Sequence, residues 1–180
     1  EWNYYGRNRE KRLAISPAVI LATYSRYSTY ETLKKDFLPV LSVLLEAFPD
    51  LKASRLGLRY INNIEMVGDD PLRWNDYIDN HLLGLFERFK NRQNTNRIFN
   101  IVGLIFDDLQ VNFQFGVPNP DFPAAIRRPL FVLDIDAYFQ GLQELDQFSK
   151  NIDCAHKKIQ ALFEESITDR LRERMNVKRD

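Results

Sequence analysis

The stretch RLGLRYINNIEM, residues 55–66, decides the fold of this chain. The residues Leu56, Leu58 and Tyr60 recur at every second position, and a period of two is typical of a strand with one side in the core. The residues between them form a cationic face with a gap at its glycine: Arg55, Gly57 and Arg59. The stretch therefore predicts a half-buried strand with an unusual second face.

That second face has two interpretations. A glycine inside a strand marks a bulge or a close approach by another chain, and arginine presents a planar fork that suits carboxylate or phosphate. In the architectural interpretation, Arg59 pairs with a carboxylate of the same chain. In the other, the face and the bend expected at the two asparagines form a recognition surface that consists of Arg55, Gly57, Arg59, Asn62 and Asn63.

Composition narrows the classes of protein. A length of 180 residues predicts a single domain over 1–180. Hydrophobic residues make up 44% of the chain and include 13 Phe, so a packed core is expected rather than disorder. The 25 basic residues balance the 25 acidic ones, so no overall attraction to nucleic acid or to a membrane surface follows. Since no run of 18 apolar residues occurs, no membrane partner is expected.

The cysteine and histidine counts argue against metal chemistry of the Cys and His kind. Cys154 is the single cysteine, which favours a reducing, cytoplasmic location. With only His81 and His156 beside it, a structural zinc site is not expected. No phosphate loop, dinucleotide fingerprint or nucleophile motif occurs, so no cofactor is predicted.

The chain begins at Glu1 and passes at once into a strand-like alternation of aromatic and polar residues. A strand at the very start needs a neighbour. The sequence therefore predicts that an N-terminal segment is lacking and that some sheet edge is normally covered.

The first half of the chain predicts three short strands and a helix. Alternation or β-branched and aromatic residues indicate strands near residues 2–5, 11–15 and 18–27. Ser28 followed by Glu31 is a capping-box pattern, and apolar residues then recur at helical spacing. Pro39 predicts a kink or a late start of this helix.

The second half predicts a helix over 75–90, a hairpin of strands 97–106 and 109–117, and a strand over 130–138. Proline-rich residues 118–129 are expected to be irregular. The end predicts a short amphipathic segment around Leu142–Phe148 and a longer helix from Ile152 to Leu171. Together these elements predict an α+β fold, a largely antiparallel sheet with helices packed on one face and a long C-terminal helix.

Two motifs carry a resemblance to a known family. The strand G-L-R-Y-I-N covers residues 57–62, and the terminal helix F-E-x-x-I-T-D-x-L-R covers residues 163–172. In these motifs and in Asp134 and Asp136, the chain resembles a sporadically distributed family of uncharacterised prokaryotic proteins. The resemblance spans most of the chain and implies no activity. One departure is Asn63, which stands where the family pattern I-N-R-I has arginine.

Asp134 and Asp136 flank Ile135 on the last predicted strand, so both carboxylates point to one side. That spacing can hold a divalent metal between them and predicts, as one alternative, an enzyme that acts on phosphates or nucleic acid. The upstream sequence gives no good phosphate-holding turn. The other alternative is that one of these aspartates pairs with Arg59.

Basic residues cluster near the N-terminal aromatics, which is the combination that binds single-stranded nucleic acid. The residues concerned are Trp2, Tyr4, Tyr5, Arg7, Arg9, Lys11 and Arg12, with a second basic pair at Arg127 and Arg128. Half-buried strands and turns explain the same residues without a ligand, so nucleic-acid binding is the less favoured alternative.

The absence of a complete catalytic set favours a non-enzymatic interaction or assembly domain, which binds a protein partner or a second copy through its sheet edge or its 55–63 face. The sequence makes one sharp structural prediction. Arg59 lies near the core boundary, where an unpaired charge is costly. Asp134 and Asp136 face the same difficulty on their own strand, and one of them is therefore expected to pair with Arg59.

Overall fold

A computed structural model describes residues 1–26, 28–66, 70–89 and 94–177. The chain divides into two compact units, Glu1–Lys52 and Ala53–Asp180. The prediction of one domain over 1–180 stays a prediction. No helix in the described ranges is both long and apolar enough to cross a membrane.

The first unit is an antiparallel three-stranded sheet followed by a helix. Its strands are β1 (Trp2–Tyr5), β2 (Lys11–Ile15) and β3 (Ile20–Tyr24), in that order, and the helix is α1 (Tyr30–Ala47). The predicted N-cap at Ser28 is wrong by one residue, because the side chain of Thr29 accepts the hydrogen bond from the backbone N–H of Thr32. Since α1 begins well before Pro39, the late start is also wrong.

The second unit has a four-stranded sheet in the order β4-β7-β6-β5. The strands are β4 (Lys52–Glu65), β5 (Ile98–Phe106), β6 (Leu109–Val117) and β7 (Leu130–Glu144). β6 pairs antiparallel with both β5 and β7. The helices are α2 (Gly84–Arg88), α3 (Phe148–Ser166) and α4 (Asp169–Val177), and α3 packs against β7. The predicted α+β class with its long C-terminal helix is confirmed, with two antiparallel sheets instead of one.

Alternate residues of the sheet build the core. β7 contributes Phe131, Leu133, Ile135 and Ala137, all fully buried. The rings of Trp74 and Phe86 lie 5.2 Å and 5.6 Å from that of Phe131, measured between centroids. The period of two predicted for Leu56 and Leu58 is confirmed, because both are buried.

Two of the predicted helices are interrupted in the structure, for one shared reason. The expected helix over 75–90 is replaced by turns, a short 3-10 helix (Asn80–Leu83) and α2, and Lys90 lies outside the described residues. The expected long helix from Ile152 to Leu171 breaks after Ser166. At the break, Ile167 forms an isolated β-bridge with Ile78, and the N–H of Thr168 donates to the carbonyl of Tyr77 over 3.0 Å. Pairing between distant segments thus replaces helical bonds in both.

The strand predicted over 130–138 continues to Glu144. Leu142, expected on a helix, therefore lies on the end of β7 with its side chain exposed.

Candidate functional site

The four-stranded sheet has one face toward the core and a second face whose residues alternate with the buried ones. We call this second side the outer face. It consists of Arg55, Gly57, Arg59, Ile61 and Asn63 from β4, Asp134, Asp136 and Tyr138 from β7, Gln110, Asn112 and Gln114 from β6, and Phe99, Ile101, Gly103 and Ile105 from β5. Four of the five residues predicted as a recognition surface lie on it.

Arg59 and Asp134 form a bidentate ion pair on the outer face. The Nε of Arg59 donates to Oδ1 of Asp134 over 2.7 Å, and its Nη2 donates to Oδ2 over 2.5 Å. The Asp134 side chain is 8% exposed, whereas that of Arg59 is 50% exposed. The hydrogen bond to Asp134 raises the pKa of Arg59 above its ordinary value. The predicted pairing of Arg59 with one of the two aspartates is confirmed.

A second arginine, Arg55, forms an ion pair with the second aspartate, Asp136. The Nη2 of Arg55 donates to both carboxylate oxygens of Asp136, over 3.0 and 2.8 Å. Its guanidinium also lies over the ring of Tyr138, 4.4 Å from the centroid. Cation–π contact and ion pairing thus hold Arg55 flat against the sheet.

Gly57 makes room for this arrangement. A Cβ at Gly57 would lie 2.9 Å from Nη1 of Arg55 and 3.1 Å from Cβ of Tyr138, both closer than ordinary contact. A side chain there would push Arg55 off Tyr138. The glycine at position 57 therefore leaves the space in which the Arg55 guanidinium lies over the Tyr138 ring.

The two asparagines of the predicted surface lie on opposite sides of β4. Asn62 lies on the other side of β4, where its Nδ2 donates to the carbonyl of Leu133 on β7 over 3.2 Å. Asn63 is exposed on the outer face. The role of Asn62 is therefore to tie β4 to β7, and Asn63 remains a candidate contact residue.

The predicted metal pair shares a face as expected, but each carboxylate of Asp134 and Asp136 is bound by an arginine. A cation between them would have to displace both guanidinium groups. Within the described ranges, no group of three or more His, Cys, Asp and Glu side chains could hold a metal ion. The metal site stays a prediction that the local geometry disfavours.

A shallow depression of about 460 Å³ crosses the outer face toward β5. Its lining includes Arg55, Asp136, Tyr138, Asn112 and Gly103. Its charged groups, Arg55 and Asp136, neutralise each other, and its lining contains no histidine, cysteine or serine. Such a surface can donate and accept hydrogen bonds and stack on a ligand, which is binding chemistry.

The edge of the sheet at β5 has a different character. All nine residues of β5 are uncharged, and β6 is the only strand that it pairs with in the part of the chain that the structure describes. Ile101 and Ile105 point to the outer face and are 67% and 77% exposed. Sequence reasoning identified this strand but missed its significance, because the apolar run alone does not show that β5 lies at an edge.

The N-terminal basic cluster is largely paired inside the first unit. Arg12 donates to Glu1 over 2.7 Å, Lys11 bonds Asp36, and the guanidinium of Arg9 lies 5.2 Å from the ring centroid of Tyr5. Trp2, Tyr4 and Tyr5 are exposed, as stacking on bases requires. In the second basic pair, Arg128 contacts Asp121 over 3.2 Å.

No protein-family model matches this chain, and neither does any curated protein or any solved structure. The resemblance carried by the 57–62 strand and the 163–172 helix therefore stays a prediction. The candidate site is defined by its geometry alone.

Proposed function

We propose that this chain is a non-enzymatic interaction and assembly module that docks a protein partner along β5 and the adjoining outer face. One observation carries the proposal. β5 (Ile98–Phe106) is a nine-residue edge strand without a charged residue, and it leaves Ile101 and Ile105 largely exposed.

Edge strands are normally protected against pairing. Lysine, proline, a bulge or a short length usually prevents another strand from adding to the ladder. β5 has neither lysine nor proline, and its pairing with β6 runs without interruption from Ile98 to Phe106. Burial of an isoleucine side chain contributes about 1.5–3 kcal/mol relative to its exposure, so a partner that covers Ile101 and Ile105 gains from both.

The remainder of the outer face supports binding over catalysis. Asp134 and Asp136 each accept hydrogen bonds from an arginine, so their carboxylate oxygens are already engaged within the sheet. The Arg59 side chain is half exposed, and its guanidinium has five N–H donors, of which Asp134 engages two, so others remain for the carbonyl or carboxylate groups of a partner.

Light scattering coupled to size exclusion, over a wide range of protein concentration, tests the proposal. We expect a mass that rises above the 21.3 kDa of one chain as concentration increases. Ile105→Lys should hold the chain at the mass of one copy. Leu142→Lys is the matched control, because Leu142 is a strand residue of nearly equal exposure, 78%, on β7, which does not neighbour β5 in the strand order. A mass of one chain at every concentration would overturn assembly, and equal effects of the two variants would remove β5 from it.

A second candidate, binding of single-stranded nucleic acid by the first unit, is favoured by one observation, the three exposed aromatic rings of Trp2, Tyr4 and Tyr5. Retention on a single-stranded DNA column at low salt, lost at moderate salt and in Trp2→Ala, supports it. Elution in the flow-through at low salt ends it.

A further inference from the structure

We infer that the partner strand of β5 is β5 of a second copy, paired antiparallel about a twofold axis at Gly103. This inference rests on the proposed function and names its partner and its register. It starts from the order of residues 101–105, Ile-Val-Gly-Leu-Ile, which reads nearly the same in both directions.

The backbone limits which residues can pair. β5 and β6 are joined by the two-residue turn Asp107–Asp108, and Phe106 lies opposite Leu109. The residues that flank such a turn form a hydrogen-bonded pair, and hydrogen-bonded pairs then alternate along the ladder. Phe106, Leu104 and Val102 therefore point their backbone groups toward β6.

The intervening residues of β5 point their N–H and C=O groups away from β6. These residues are Phe99, Ile101, Gly103 and Ile105. A strand added to this edge must meet them with outward groups of its own. In a symmetric pair, these four residues therefore lie opposite one another. A register in which one strand is shifted by a single residue is excluded, because it would place outward backbone groups opposite inward ones.

Side chains choose among the registers that remain. With the axis at Gly103, Ile101 of each copy lies opposite Ile105 of the other, so all four exposed isoleucine side chains meet a cross-strand partner. Val102 then faces Leu104 on the opposite side of the sheet. With the axis at Val102, Ile101 would face only Gly103 of the second copy and would remain largely uncovered.

The absence of charged residues on β5 favours a second copy over an unrelated partner. Because the strand is uncharged, it offers no electrostatic selection for a charged peptide. A twofold interface requires one surface that complements itself, and the near-palindrome 101–105 meets that requirement. A single added strand covers less than the roughly 1,600 Å² of a standard interface, so we expect a reversible dimer.

Gly103 provides a direct test of the register. A Cβ at Gly103 meets no atom within 4 Å, so a cysteine fits the fold of the single chain. Residues directly opposite in an antiparallel pair have Cα atoms about 4.5–5.5 Å apart, within the range that a disulfide spans. The exposed Cys154 is first replaced by serine, so that each variant carries one cysteine.

Under mild oxidation, we expect Gly103→Cys to form a disulfide-linked dimer faster than any neighbouring single-cysteine variant. Gly84→Cys is the matched control, because a Cβ at Gly84 also meets nothing within 4 Å and the residue lies on α2 and not on β5. An equal mixture of Ile101→Cys and Ile105→Cys chains should link preferentially to each other. This mixture also decides the question should Gly103→Cys fail to fold.

Three other results are possible, and each contradicts a different part of the proposal. If Val102→Cys links fastest, the register at Gly103 is wrong while pairing through β5 stands. If light scattering shows a dimer but every β5 cysteine links no faster than Gly84→Cys, the twofold β5 pairing is overturned. If the untreated chain has the mass of one copy throughout, the proposed assembly fails as well.

Discussion

Arg59 on β4 and Asp134 on β7 are joined by two hydrogen bonds of 2.7 and 2.5 Å, and the Asp134 side chain is nearly buried while the Arg59 side chain is half exposed. The pair joins β4, which contains the G-L-R-Y-I-N motif, to β7, which contains both aspartates. An arginine in this setting neutralises a charge that would otherwise be costly inside the sheet. The unusual cationic face of the 55–66 stretch is thus partly architectural.

Replacement of Arg59 should therefore destabilise the second unit. We expect Arg59→Ala to lower the free energy of unfolding by about 1–3 kcal/mol, because Asp134 loses its hydrogen-bond donors while it stays buried. Solvent at the guanidinium keeps the loss below that of a fully buried pair. Urea denaturation followed by the fluorescence of the buried Trp74 measures it.

Arg55→Ala is the control for Arg59→Ala. Its carboxylate partner Asp136 is more exposed, so the loss should stay below about 1 kcal/mol. The change Asp134→Asn should be partly redundant with Arg59→Ala, and the double variant should lose less than the two single losses combined. Strict additivity would show that the two side chains do not stabilise each other.

Gly57→Ala should disturb the outer face by crowding. The new methyl group would lie too close to Arg55 Nη1 and to Tyr138 Cβ, so we expect a loss of about 1 kcal/mol in the free energy of unfolding. Gly103→Ala in the same sheet meets no atom and should be neutral or slightly stabilising. Both variants are compared at a concentration where light scattering gives the mass of one chain. Equal stabilities would contradict the role assigned to Gly57.

The first unit should show an unusual tyrosine. Burial, reinforced by the charge of Asp36 and the 3.1 Å hydrogen bond that Tyr24 Oη donates to it, raises the pKa of Tyr24 to about 12. The folded state therefore holds this proton more tightly than the unfolded state. The resulting stabilisation is complete below the ordinary tyrosine value of about 10 and is lost as the pH rises toward 12.

Absorbance of the tyrosinate band during an alkaline titration detects this shift. The component near pH 12 should disappear in Tyr24→Phe. Asp36→Asn should lower the pKa of Tyr24 only in part, because burial is the largest cause. If the absorbance that Tyr24→Phe removes titrates near pH 10 and not near pH 12, the shift is absent.

Calorimetric titration with Mn²⁺ tests the metal hypothesis for Asp134 and Asp136. We expect no binding, because each carboxylate is already engaged by an arginine and a divalent cation would have to displace both. Asp134→Ala is the control. Binding that is present in the original chain and lost in this variant would restore the metal-dependent enzyme as the leading hypothesis.

The sequence by itself determined the features that depend on nearby residues. Alternation placed Leu56 and Leu58 in the core, and the apolar runs on either side of Asp107–Asp108 predicted the hairpin that β5 and β6 form. It also predicted that Arg59 would pair with an aspartate of 134–136, because charges at the edge of a core must find partners. These rules act over a few residues or follow from chemical type, so one chain is enough to apply them.

The tertiary structure decided what depends on distant segments. The helix break at Ile167 follows from pairing with Ile78, far away in the sequence. Thr168, whose Oγ1 accepts the N–H of Leu171, is a local signal for the start of a second helix, but it does not indicate the pairing with Ile78. Gly57 could be explained only when Arg55 was seen to lie across Tyr138. The position of β5 at the sheet edge follows from the strand order β4-β7-β6-β5. An apolar strand has the same sequence pattern in the middle of a sheet or at its edge, and only the arrangement of its neighbours decides whether its second side is left for a partner.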